Sequence, residues 1–270
     1  MSSFVDQTGR CITLNKTPKK IISLVPSQTE LLFDLGLNEE VTGITKFCVH
    51  PEAWFHSKIK VGGTKQLKID LIKQLNPDLI IANKEENVKE QIEEFEKHFP
   101  TWVSDVNILD DAYQMIEQIG LMINKGEQAL TLITRIKTNF SQLPTPDSIL
   151  PTCYLIWQNP YMTVGSDTFI HSMMEAAGFE NVFKNQTRYP EITISELSNT
   201  NCQLLLLSSE PFPFKQKHIE EIKAQGFKGQ VVLVDGEMFS WYGSRLLKAP
   251  EYFKGLIPFL SPLEKGGSAE

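Results

Sequence analysis

The stretch "KKIISLVPSQTELLFDLGLNEEV" (Lys19–Val41) reads as a buried strand, a turn, a short helix and a closing glycine. The same order returns in "CYLIWQNPYMTVGSDTFIHSMMEAAGFENVF" (Cys153–Phe183), with a longer turn. A second matched pair follows. "KIDLIKQLNPDLIIAN" (Lys68–Asn83) and "TISELSNTNCQLLLLSS" (Thr193–Ser209) each run a short helix into an apolar strand. Alternating strands and helices of this kind predict α/β units. Two units with one grammar predict two similar lobes, although the identity between them is too weak for a sequence repeat.

Working outward, strands are expected at Lys20–Val25, Val41–Ile44, Asp78–Ala82 and Thr101–Ser104 in the first half. Thr152–Trp157, Gln203–Ser208 and Gln230–Asp235 are expected in the second. Between the halves, Ala112, Met115, Ile116, Ile119, Met122 and Ile123, then Ala129, Leu132, Ile133 and Ile136, recur at helical spacing. This predicts a long helical connector, with Gly120 and Gly126 as places to bend and "PTPDSILP" (Pro144–Pro151) as a break after it. The expected domains are an N-terminal α/β lobe over 1–109, a connecting helix over 110–143 and a C-terminal α/β lobe over 144–270, with a ligand cleft between the lobes. Ser27 and Glu30 have the spacing of a capping box, and Ser166 or Asp167 would cap the matching helix. In parallel α/β units ligands meet the loops at the carboxyl ends of strands.

The chain has 270 residues, 41% hydrophobic and 22% charged, which suits an ordinary soluble protein with a substantial core. A net charge of −7 argues against nucleic acid and allows a partner that presents basic groups. No apolar run has the roughly 18–20 residues that a membrane span needs. "MSSFVDQTGR" lacks the pattern of an export signal. The expected location is cytoplasmic if Met1 is the native start, and periplasmic or cell-surface if a leader has been removed. Cys11, Cys153 and Cys202 read as buried thiols, and no disulfide framework is expected.

Signatures of catalysis are absent: no G-x-S-x-G, Walker A loop, G-x-G-x-x-G or H-E-x-x-H occurs. "FCVHPEAW" (Phe47–Trp54) places Cys48 and His50 at a spacing that a soft metal could use, though a loop histidine beside a buried thiol is the plainer account. His171 lies beside the apolar stripe of its helix and reads as a solvated flank. Phe47 follows a strand in "FCVHPEAW", and Trp54, Trp157, Tyr161, Phe239, Trp241 and Tyr242 all fall in or beside strand-end loops and together suit the walls of an apolar cleft, whereas Phe212 and Phe214 read as packing. "FSWYGSR" (Phe239–Arg245) concentrates the pattern: aromatic surface, a tight turn at Gly243 and an anchor at Arg245. Arg188 is the other candidate anchor, since a guanidinium forks onto carboxylates. Asp70 and Glu196 hold matched positions in the two halves, either as helix-dipole partners or as paired docking points.

The chain resembles the substrate-binding proteins of ABC importers for cobalamin, ferric siderophores and haem. The resemblance rests on "GRCITLNKTPKKIISLVPSQTELLFDLG", "LIKQLNPDLIIA", "MTVGSDTFIHSMMEAAGFENVF" and "ITISEL", in order over nearly the whole chain. "SLVPSQTELLFDLGL" and "HPEAW" bring it nearest the cobalamin branch. The resemblance implies two α/β lobes joined by a long backbone helix, a monomer without catalytic activity or a covalent cofactor, and a bulky metal-chelate ligand such as cobalamin or another corrinoid. It implies docking to a permease through Asp70 and Glu196, Asp70 standing where the family usually has glutamate. Ser27, Phe47, His50, Trp54, Lys65, Trp157, Tyr161, Arg188, Trp241, Tyr242 and Arg245 are the expected ligand-binding residues. A cytosolic relative would store, chaperone or sense its ligand instead of serving an importer. Ferric siderophore binding would draw on Arg188, Arg245 and Lys65, and haem on His50, Tyr161 or Tyr242 as an axial ligand. A cleft-based enzyme or a ligand-free adaptor are readings of a different class.

Overall fold

The computed structural model describes residues 1–144 and 149–256. The chain divides into two compact units: Met1–Lys137 with Trp241–Leu247, and Thr138–Ser240 with the C-terminal stretch from Lys248.

The first unit opens with a hairpin, β1 (Ser2–Val5) and β2 (Cys11–Leu14). It continues through β3 (Ile21–Ser23), α1 (Pro26–Asp34), β4 (Val41–Ile44), α2 (Glu52–Ser57), β5 (Ile59–Lys60) and α3 (Ile69–Leu75). Then come β6 (Leu79–Asn83), α4 (Lys89–Glu96), β7 (Thr101–Ser104), α5 (Leu109–Met122) and α6 (Gly126–Ser141), and the division between units falls inside α6. The main sheet is parallel, in the order β5-β4-β3-β6-β7. A strand covered by helices on both faces is buried along its whole length, which is why β6 is an unbroken apolar run ending in Asn83. Ile22, Ile80 and Val103 meet Ile72, Ile92 and Phe95 in its core.

The second unit carries β8 (Leu150–Leu155), β9 (Tyr161–Met162), α7 (Phe169–Ala176), β10 (Phe179–Asn181), β11 (Glu191–Ile192) and α8 (Ile194–Ser198). It ends with β12 (Leu204–Ser208), α9 (Gln216–Ala224), β13 (Gln230–Val234), α10 (Glu237–Ser240) and, past the excursion to the first unit, α11 (Ala249–Lys254). Its parallel sheet runs β10-β8-β12-β13. Cys153, Leu155, Leu205 and Leu207 pack with Phe214, Ile222 and Phe227. The glycines that close the matched helices do the same work in both units. Gly36 (φ 85°) and Gly178 (φ 86°) follow α1 and α7 in the left-handed conformation that ends a helix without a Cβ clash.

Several local expectations are corrected. The connector is not one helix over 110–143: Asn124 is left-handed (φ 58°), and the Lys125 N–H closes onto the Gly120 carbonyl at 2.7 Å. α5 and α6 fold back on each other, with Lys137 Nζ 4.7 Å from the centre of the Tyr113 ring. Ser27 is not an N-cap, because Pro26 already occupies the first turn and the cap position falls on Val25. Thr168, not Ser166 or Asp167, caps α7, its Oγ1 accepting from the His171 N–H at 3.3 Å. His171 is buried, since its Nδ1 meets Asn181 Nδ2 at 3.2 Å. Cys11 is exposed, because it points off the outer face of a two-stranded hairpin, and Cys202 is half-buried. Most of the proline-rich break lies outside the described residues.

Candidate functional site

In each parallel sheet the chain's first strand has later strands added on both sides, so each has a topological switch point. Ligands of open α/β sheets gather outside the carboxyl ends of the strands at such points. In the first sheet the switch lies between β3 and β6, and in the second between β8 and β12.

At the carboxyl edge of the first sheet, the loop after β4 carries Phe47, Cys48 and His50. Phe47 is 50% exposed, with Lys46 Nζ 5.0 Å from its ring centre. Cys48 points inward, its Sγ 3.1 Å from the hydroxyls of Thr29 and Thr45. Burial pushes its thiol pKa up. Among the described residues no group of three or more His, Cys, Asp or Glu side chains gathers at a metal-binding spacing. His50 is half-buried, and its ring meets that of Trp241 edge-on at 5.6 Å. Lys65, after β5, is exposed and donates to the Glu85 carbonyl. The loop after β6 is pinned by Asn83, whose Oδ1 accepts from the N–H groups of Glu85 and Glu86 at 2.8 and 3.0 Å. Desolvation raises the Glu86 carboxyl pKa, against the pull of Lys65. Neither Asn83 nor Glu86 stands out in sequence, since polar residues after a strand are ordinary.

Five expected ligand-facing residues lie in the interior of this unit. Trp54 is 2% exposed, and its indole N–H donates to Asn38 Oδ1 at 3.1 Å. Ser27 is buried in the first turn of α1. Tyr242 is buried, as is Arg245, whose Nε donates to Glu30 Oε2 at 2.9 Å while its guanidinium centre lies 4.9 Å from the Trp241 ring centre. Trp241 itself is 6% exposed. This answers why one loop holds so many large side chains: Trp241–Leu247 is a segment from late in the chain that folds into the first unit, against α1. Gly243 serves close approach, not a left-handed turn. A Cβ there would stand 2.9 Å from the Ser27 carbonyl oxygen and 3.5 Å from Leu31 Cβ. A partner 215 residues away leaves no local trace in sequence, so Glu30 reads only as a helix residue.

In the second unit Trp157 stands at the carboxyl end of β8, 40% exposed, and meets the Phe212 ring edge-on at 5.7 Å. Phe212 continues into Phe214 at 4.8 Å, and both pack as expected against the core. Tyr161 is half-buried, its hydroxyl accepting from Gln225 Nε2 at 3.1 Å. Arg188 is exposed and left-handed (φ 59°), lies over Tyr189 and sits 3.9 Å from Asp167. Of the expected ligand-binding residues, Phe47, His50 and Lys65 in one unit and Trp157, Tyr161 and Arg188 in the other are at least partly exposed.

Asp70 is exposed in the first turn of α3. Glu196 is exposed at the third position of α8, where its carboxylate accepts from the Thr193 N–H at 2.7 Å, and the Thr193 hydroxyl accepts from the Glu196 N–H at 3.1 Å. That reciprocal cap holds the Glu196 carboxyl pKa below its ordinary value. No helix among the described residues is long and apolar enough to cross a membrane.

Known proteins resemble the chain over most of its length. An uncharacterized ABC transporter substrate-binding lipoprotein of Bacillus subtilis is 25% identical over 264 residues, covering 91% of this chain and 82% of that one. A vitamin B12-binding protein of Vibrio vulnificus is 26% identical over 203 residues, 73% of this chain and 74% of the relative. The periplasmic haem-binding protein HutB of Vibrio cholerae shares the fold, with a TM-score of 0.74 at 17% identity over 90% of this chain and 99% of that one. The family model for periplasmic binding proteins matches residues 21–227. With parallel sheets in both units and reachable side chains at their carboxyl edges, the chain belongs to the periplasmic binding protein family.

Proposed function

We propose that this protein is the substrate-binding component of an ABC importer and that its ligand is a bulky metal chelate of the corrinoid class. The observation that carries the reading is the pair of exposed aromatic side chains, Phe47 and Trp157, each at the carboxyl edge of a parallel sheet. A partly exposed aromatic ring at such an edge offers the apolar surface on which a flat macrocycle can lie. The vitamin B12-binding relative supports a corrinoid. Asp70 and Glu196 are the proposed contacts to basic residues of a permease, each exposed in the first turn of a short helix that leads into an inner strand. The binding machinery performs no chemistry on the ligand.

Haem is the second reading, and His50 favours it, because a half-buried imidazole at the first sheet's edge suits an axial iron ligand. Tyr242 is too deeply buried for that part. Titration calorimetry with cyanocobalamin, haemin and a ferric hydroxamate decides between them. The expected result is stoichiometric binding of cyanocobalamin. Binding of haemin alone, with a Soret shift lost in His50→Ala, would replace corrinoid by haem, and binding of none would overturn the chelate reading.

A further inference from the structure

The Arg245 guanidinium is buried. Its Nε lies 2.9 Å from the Glu30 carboxylate, and the guanidinium centre lies 4.9 Å from the Trp241 ring centre. Trp241 in turn meets His50 edge-on at 5.6 Å. His50 is the first member of this chain of contacts that is more than marginally exposed. The base of the chain is rigid: Glu30 and Ser27 belong to α1, and Gly243 brings the late segment so close to Ser27 that a methyl group would not fit. Glu30, Arg245 and Trp241 are thus fixed to one helix, and their outer end bears on the imidazole.

We propose that Arg245, held by Glu30, is a positioning residue that acts through Trp241 to hold His50 in a fixed pose against the ligand. The inference rests on the chelate-binding reading above and adds residues that do not themselves touch the ligand. It explains why the segment joins an aromatic ring to an arginine. A planar guanidinium covers an indole face and still forks toward a carboxylate, whereas a lysine ammonium provides only a point charge. Preorganising a contact residue raises affinity by removing the ordering cost from the binding step.

A thermodynamic cycle tests this with Arg245→Lys, His50→Ala and the double variant, reading the Kd for cyanocobalamin, or for haemin if that is what binds. Arg245→Lys should raise Kd about tenfold, and His50→Ala by at least as much. In the His50→Ala background the lysine substitution should then add less than about twofold, because coupled residues are not additive. Additive losses, or an unchanged Kd in Arg245→Lys, would overturn the proposal. Should Arg245→Lys fail to fold, Glu30→Asp withdraws the carboxylate and enters the same cycle. Fluorine NMR of protein labelled with 5-fluorotryptophan gives a readout without ligand: the Trp241 resonance should move in either variant while those of Trp102 and Trp157 stay. If wild type binds no chelate, the functional reading falls and takes the role in binding with it. An unmoved Trp241 resonance shows separately that Arg245 does not position the ring.

Discussion

Two segments of this chain look alike in sequence and differ in fate. Trp157 and Arg188 belong to the second unit, and Trp241 and Arg245 to the late segment of the first. Trp157 is 40% exposed and leans on Phe212, while Trp241 is almost covered. Arg188 sits 3.9 Å from Asp167 on the surface, and Arg245 bonds Glu30 at 2.9 Å with both side chains under a tenth exposed. Composition gives the same signal in both cases, a tryptophan and an arginine near a strand end. What separates them is where the partner sits: the buried Glu30 of α1 for Arg245, and the half-buried Phe212 and Asp167 for Trp157 and Arg188. Residue type marks where large contacts are made, and the fold decides whether they lie at the surface or in the interior.

The sharpest way to break this comparison is to remove each arginine. Arg245→Met breaks the buried ion pair with Glu30, which should cost about 3–5 kcal/mol. Arg188→Met disturbs an exposed pair and should cost less than about 1 kcal/mol. Urea unfolding followed by circular dichroism measures both, and equal losses would remove the distinction. Next in size is Gly243→Ala. Its methyl would press on the Ser27 carbonyl, and overpacking of this kind costs about 1–3 kcal/mol. The same unfolding measurement checks it, and an unchanged midpoint would mean that the late segment can lift away from α1 at little cost.

The parallel sheets were the legible part of the sequence, because a strand covered on both faces must be apolar throughout. "DLIIA" and "LLLLS" have no other economical reading, and β6 and β12 lie within a residue of where those runs predict them. The hairpin of β1 and β2 was missed, since "SSFV" and "CITL" are short and sit at an exposed edge. The helical hairpin was read as a single connector because amphipathic spacing persists across Asn124, and periodicity does not report a reversal of direction. Of the candidate site, the placement of Phe47, His50 and Trp157 after strands was legible from their residue types and the runs before them. The inward turn of Trp54 was not, because it depends on Asn38, which arrives from another loop.

Trp157 gives the comparison its functional half. Trp157→Ala removes an exposed ring and should scarcely move the melting temperature, yet it should weaken chelate binding by roughly 1–2 kcal/mol, the scale of a lost aromatic contact. The ligand should also quench less of the remaining tryptophan emission. A variant that melts early and binds normally would make Trp157 a packing residue like Trp54, and the second unit's ligand surface would then rest on Tyr161 and Arg188.

The smallest effect concerns Asp70 and Glu196, another matched pair that the fold treats differently. Glu196 closes a reciprocal cap with Thr193, while no side-chain cap is formed at the start of α3, where Asp70 lies. The hydrogen bonds from Thr193 lower the Glu196 carboxyl pKa in the folded chain. A depressed folded-state pKa contributes stability that is fully present above the unfolded value, about 4.3 for glutamate, and is lost as pH falls through the folded value. Glu196→Gln should therefore lower the urea midpoint slightly at pH 7, and the gap to wild type should close as the medium is acidified below about pH 4.3. Asp70→Asn should show no comparable gap at pH 7, because its carboxylate closes no such cap. Both variants should keep full chelate affinity and, in cells that depend on the importer, lose uptake together. A loss of affinity in either would place that carboxylate at the ligand, and a pH-independent gap in Glu196→Gln would mean that the cap is held by Thr193 alone.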